Sequence, residues 1–95
     1  MIANLTTPQV SPDLIWRLLD DNAVVVSPGV GEVRVFNQVG TVIWQLLVEE
    51  NSPGEIEDYL VTHYEVSHER AKSDLHLFIN DLTDRGVLIW EEKIS

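Results

Sequence analysis

Apolar positions change their rhythm once along this chain. Up to Phe36 they alternate or run in short β-branched blocks; beyond Asn37 they recur every three or four residues. The first part reads as strands. Leu14–Leu19 (LIWRLL) suits either a strand or a short helix taken alone. The turn chemistry of Asp20–Ala23 and the strongly β block Val24–Ser27 make a hairpin the economical reading. Pro28–Gly31 (PGVG) is a second turn. Glu32–Phe36 then alternates, with Val33 and Val35 on one face and Arg34 and Phe36 on the other. A three-stranded meander is expected.

Asn37 is a strong N-cap residue, and Val39, Ile43, Leu46 and Leu47 follow at helical spacing, widened by Val42 and Trp44. Gly40 costs helix propensity and permits a close approach by a neighbouring segment. Ser52, Pro53 and Glu55 form a helix start: a cap, a proline at the first helical position and a capping box. Ile56, Leu60 and Tyr64 face inward from that helix. Ser67 caps a third, long helix with the stripe Ala71, Leu75, Phe78 and Leu82, ended by Gly86. Val87–Trp90 suits a short final strand. The order β-β-β-α-α-α-β predicts an α+β domain with a three-stranded antiparallel sheet, a three-helix bundle and a winged helix-turn-helix-like shape.

Ninety-five residues suffice for one domain, and 44% apolar content supports a core. Residues 1–12, with Pro8 and Pro12, read as a flexible arm, and 92–95 as a tail. No cysteine is present, which excludes a disulfide framework, a thiolate metal site and a cysteine nucleophile, and fits a cytoplasmic protein. No signal peptide or membrane-length apolar run is visible.

Charge narrows the function further. Six Lys and Arg face sixteen Asp and Glu, a net charge of −10. That field repels phosphate backbones. Three helices beside a small sheet is a DNA-reader pattern, but the third helix carries Asp74, Asp81 and Asp84 where a reader needs Arg, Lys, Asn or Gln. No nucleic-acid partner and no membrane are expected. His63 falls on a different helix from His68 and His76, and the latter two lie two turns apart, so no metal site or cofactor is expected. No nucleophile motif, phosphate loop or opposed carboxylate pair occurs. The chain reads as a binding module and not an enzyme.

The last strand of a meander can leave one side unpaired, and an unpaired strand edge is a template for another extended chain. The third helix could wall such an edge. On its wheel Leu77 lies about 100–160° from each core member, beside Arg70, Asp74, Asp81 and Asp84. A leucine there is either an ordinary exposed residue or part of a groove. Ile79, on the opposite flank, widens the core stripe. The expected peptide-binding set is Val33, Arg34, Val35 and Phe36 with Arg70, Asp74, Leu77 and Asp81.

Several motifs resemble the PqqD-like family, the precursor-recognition elements of ribosomally made, post-translationally modified peptides. They are Phe36–Asn37 before the first helix, Gly40 with Ile43–Trp44 and Leu46–Leu47, Ser52 with Glu55–Ile56, and Asp74–Leu75 with Phe78, Leu82 and Gly86–Val87–Leu88. The resemblance runs from Ile15 to Leu88 and implies a peptide-recognition domain over 13–91. It implies that a leader peptide is bound as an added strand on the third strand, beside the third helix. The size and the run FNQVG are most similar to free-standing leader-binding proteins of lasso-peptide pathways. Those deliver a precursor to a leader peptidase and a cyclase. A PqqD-type chaperone presenting a precursor to a radical enzyme is the alternative; an acidic winged-helix regulator binding protein partners is one of a different class.

Overall fold

The computed structural model describes residues 8–29 and 31–90. In chain order the elements are β1 (Gln9–Val10), β2 (Ile15–Leu19), β3 (Asn22–Ser27), β4 (Glu32–Val35), α1 (Gln38–Val48), α2 (Pro53–His63), α3 (His68–Asp84) and β5 (Leu88–Ile89). The expected α+β order is present, preceded by one further strand. Antiparallel β2-β3-β4 form the main sheet, and β1 pairs separately with β5.

β1 corrects the reading of residues 1–12 as an arm. Gln9 and Val10 pair with Ile89 and Leu88, and the Ser11 amide donates to the Val87 carbonyl at 2.9 Å. Pro8 is buried, and it can be so without stranding a donor because it has no N–H. Two paired residues carry no periodicity, so nothing in the pattern distinguishes them from the loose composition around them. Residues 1–7 and the expected tail at 92–95 lie outside the described residues.

The β2–β3 turn is tighter than its composition suggested. Leu19 and Asn22 are ladder partners, so Asp20 and Asp21 alone make the turn, with φ of 51° and 68°. Positive φ at both central residues is the twist-matching hairpin solution. Asn22 is thereby left outside the turn, and its side-chain amide donates to the Phe36 carbonyl at 2.7 Å.

That bond belongs to the junction where strand becomes helix. Asn37 caps α1, its side-chain oxygen accepting the Gly40 amide at 2.8 Å. Thr41, buried in the first turn, accepts the Ala23 amide at 2.8 Å and donates to the Phe36 carbonyl at 3.4 Å. The first residues of β3, the end of β4 and the start of α1 are thereby tied through one carbonyl. Thr41→Val would leave the buried Ala23 N–H without an acceptor, at a cost of about 1–3 kcal/mol.

The helices cover the sheet's inner face. Ile43, Trp44 and Leu47 of α1, Ile56 and Leu60 of α2, and Ala71, Leu75, Ile79 and Leu82 of α3 meet Ala23 and Val25 of β3. Trp44 is fully buried between Trp16 and Phe36, with ring centroids 5.9 and 5.7 Å away. Losing so large a buried ring typically costs about 3–5 kcal/mol. The capping box at Ser52 and Glu55 forms as expected. α3 ends in a Schellman arrangement: Gly86, at φ 76°, donates to the Thr83 carbonyl and Val87 to that of Leu82. This stop returns the chain to pair as β5.

Candidate peptide-binding groove

β4 pairs with β3 on one side and, among the described residues, with nothing on the other. One hydrogen bond fixes which backbone groups are free. The Phe36 amide donates to the Ala23 carbonyl at 2.9 Å. Successive strand residues aim their N–H groups to opposite sides, so Arg34 also faces β3. Val33 and Val35 therefore present their amides and carbonyls to the open side. Their side chains stand on the solvent face, 62% and 67% exposed.

Glu32, Arg34 and Phe36 lie on the inner face and point toward α3. Two kinds of contact bridge the gap. At one end runs a chain of ion pairs: Arg34 to Asp81 at 3.0 Å, Asp81 to Arg85 at 3.2 Å, and Arg85 to Glu32 at 2.7 Å. The Arg85 guanidinium is held above its usual range, first by its hydrogen bond to Asp81 and then by the charge of Glu32. At the other end the contact is apolar. Phe36 and Phe78 approach to 5.2 Å between ring centroids. Gly40 eases that approach: a Cβ there would sit 3.3 Å from the Phe36 Cβ and 3.4 Å from a Phe78 ring carbon.

Over this apolar end opens a pocket of about 470 Å³, lined by Val35 to Asn37, by Val39, Gly40 and Ile43 of α1, and by Asp74 and Phe78 of α3. A free strand edge thus runs beside a pocket floored by two phenyl rings. Such an arrangement can hold an extended chain by backbone pairing while a side chain fills the pocket. Among the described residues, no three His, Asp or Glu side chains gather where they could hold a metal ion. Among them, too, no helix is long and apolar enough to cross a membrane.

The expected site residues divide. Val33, Arg34, Val35, Phe36, Asp74 and Asp81 are brought together around the groove. Arg70 stands at its rim, paired with Asp74 at 3.1 Å. Leu77 does not line this pocket: it stands farther round the same flank of α3, 67% exposed, and lines a shallow depression with Glu69, Lys72, Ser73 and His76. Sequence reasoning missed Phe78, Val39, Gly40 and Ile43 as pocket walls. Phe78 does belong to the core stripe, packing against the core with its groove side bare. Its position on the wheel, between Leu82 and Asp74, was the signal available.

Fold and groove together define a small α+β winged-helix domain with one walled, open strand edge. Residues 22–88 match the family model described as Coenzyme PQQ synthesis protein D (PqqD), and the chain belongs to that family. No match was found among curated proteins. Two solved structures are similar. TbiB1, in complex with the TbiA(beta) leader peptide, is 29% identical with a TM-score of 0.81; the match covers 84% of this chain and 93% of that one. A lasso peptide synthetase B1, complexed with the leader peptide, superposes with a TM-score of 0.81 at 23% identity, over 87% of this chain and 98% of that one.

Proposed function

We propose that this protein binds the leader region of a ribosomally made precursor peptide as a fourth strand on β4, and delivers it to a leader peptidase and a cyclase of lasso-peptide biosynthesis. The protein itself is a non-catalytic carrier. The observation that carries this reading is the unpaired edge at Val33 and Val35 lying beside α3 and the pocket over Phe36 and Phe78. It is supported by the 29% identity to TbiB1 along nearly the whole of that chain, a protein solved with a leader peptide bound. Affinity would come from the backbone ladder and selectivity from the pocket. A second reading draws on the family model itself, which is named for coenzyme PQQ synthesis: the bound precursor would then be presented to a radical enzyme. Both readings use the same groove.

The test is fluorescence polarisation with the labelled leader of a small precursor peptide encoded beside this chain. Saturable binding is expected, with the peptide's mass unchanged after incubation. Absence of binding would sink the carrier reading, and a cleaved or modified peptide would show an enzyme. A cyclase or a radical enzyme encoded alongside separates the two pathways.

A further inference from the structure

The two carboxylates that α3 turns toward the groove differ in how firmly they are held. Asp81 is locked between Arg34 and Arg85. Asp74 has one partner, Arg70, one helical turn away on the same helix, and both side chains are more than half exposed. Exposed pairs of this kind are weak and easily exchanged. Asp74 also lines the pocket, where it is the one charged residue among Val35, Phe36, Val39, Ile43 and Phe78. Its neighbour Asn37 has its side-chain oxygen already committed to the Gly40 amide.

We propose that Asp74 makes this pocket selective for a lysine or arginine on the bound strand. The inference rests on the strand-addition reading and adds the chemistry of one side chain. A residue directly across from Phe36 on an added strand turns its side chain to the same face as Phe36. There the aliphatic stem of Lys or Arg lies along the two phenyl rings, and the cation reaches the rim carboxylate. The ring faces add cation–π attraction. The protein's net charge of −10 favours the same sign of guest. The next inward-facing residue of the added strand meets Arg34, whose carboxylate partner Asp81 is already shared, so the preference belongs to one position and not to the peptide as a whole.

The probe is a random mRNA-displayed library of peptides about twelve residues long, enough to cover a strand, selected on the intact protein. Peptides should show Lys or Arg enriched over Asp and Glu at a single position by about fivefold or more. Selection on Asp74→Asn should erase that preference, and Asp74→Lys should turn it toward Glu and Asp. Basic residues spread evenly along the peptides would mean bulk attraction to an acidic protein and overturn the proposal. So would a positional preference that survives Asp74→Asn, or none at all. A parallel selection on Val35→Pro, which removes an edge N–H, guards the parent reading. If the same peptides emerge there, strand addition itself has failed, and this proposal with it. If they vanish there but show no charge preference on the parent, only the role of Asp74 is lost.

Discussion

The main sheet has two edges, β2 and β4, and one of them carries the candidate groove. Both lack a partner strand among the described residues. On β3, the backbone groups of Ala23, Val25 and Ser27 face β4, so those of Asn22, Val24 and Val26 face β2, and their partners Leu19, Arg17 and Ile15 turn their backbone groups to β3. Trp16 and Leu18 therefore hold the free backbone groups of the β2 edge, as Val33 and Val35 do on β4. By hydrogen-bonding capacity the two edges are alike. They differ in what stands beside them. Next to β4 is α3, with the Phe36–Phe78 floor and its pocket. On β2 the Trp16 side chain, on the inner face, is spent against Trp44. An open edge supplies unselective affinity and is an aggregation hazard; a wall with a pocket turns it into recognition.

The sharpest way to break this comparison is to remove one outward N–H from each edge with proline, which edge strands tolerate when the lost N–H faces away from the sheet. Val35→Pro should lower leader affinity by about tenfold or more, because a backbone bond is lost and the ring crowds the added strand. Leu18→Pro should leave leader affinity within about twofold while costing similar stability. Polarisation titrations and thermal melts of both variants check this. Equal losses of affinity would mean that the peptide binds by a route that does not distinguish the edges.

Much of this comparison was legible in the chain. Helix starts at Asn37, Ser52 and Ser67 and the stop at Gly86 are local devices, and each forms as its residue type dictates. The alternation in Glu32–Phe36 gave the faces of β4 correctly, since a period of two leaves no other choice. What alternation cannot give is which side of a strand is paired. That needed the single bond from Phe36 to Ala23. Leu77 shows the limit of a wheel: it leaves the core stripe by the same flank as Asp74 and Asp81 but stands about 40–60° farther round, and projection alone does not say how far round the pocket reaches. Phe78 shows the converse, a residue that serves core and pocket at once. Thr41 could not be read as a buried hub, because its partner Ala23 lies 18 residues earlier in sequence.

A finer test separates backbone from side chain along β4 alone. Replacing each amide in turn by an ester should give an alternating record. At Val33 and Val35, leader affinity should fall by about three- to tenfold with near-normal stability, as expected for a net loss of roughly 0.5–1.5 kcal/mol. At Arg34 and Phe36 the bonds are to β3, so stability should fall and affinity follow only as far as folding fails. The phase of the alternation is set by the Phe36–Ala23 bond. A record with the opposite phase, or with none, would remove strand addition as the binding mode.

The smallest effect is expected at the β2–β3 turn, which concerns stability only. Asp20 and Asp21 both hold positive φ, 51° and 68°. Aspartate enters that region more readily than most residues, yet glycine enters it without steric cost. The two adjacent carboxylates also repel one another on a protein already at −10. Opposing this, glycine gives the unfolded chain more freedom, worth about 0.4–1 kcal/mol. Relief of the left-handed strain, about 1–2 kcal/mol for an average residue and less for aspartate, should exceed that by a small margin. Asp21→Gly should therefore stabilise by roughly 0.5 kcal/mol, raising Tm by about 2–4 °C for a domain of this size. Leader affinity should stay within about twofold, because Asp21 lines no part of the pocket. Circular-dichroism melts and one titration decide it. A fall in Tm would show that the aspartate side chain stabilises the turn in a way its backbone does not reveal. A change in affinity beyond about twofold would show that the hairpin is coupled to the groove, through Asn22 and the Phe36 carbonyl it holds, and that the two edges do not act independently.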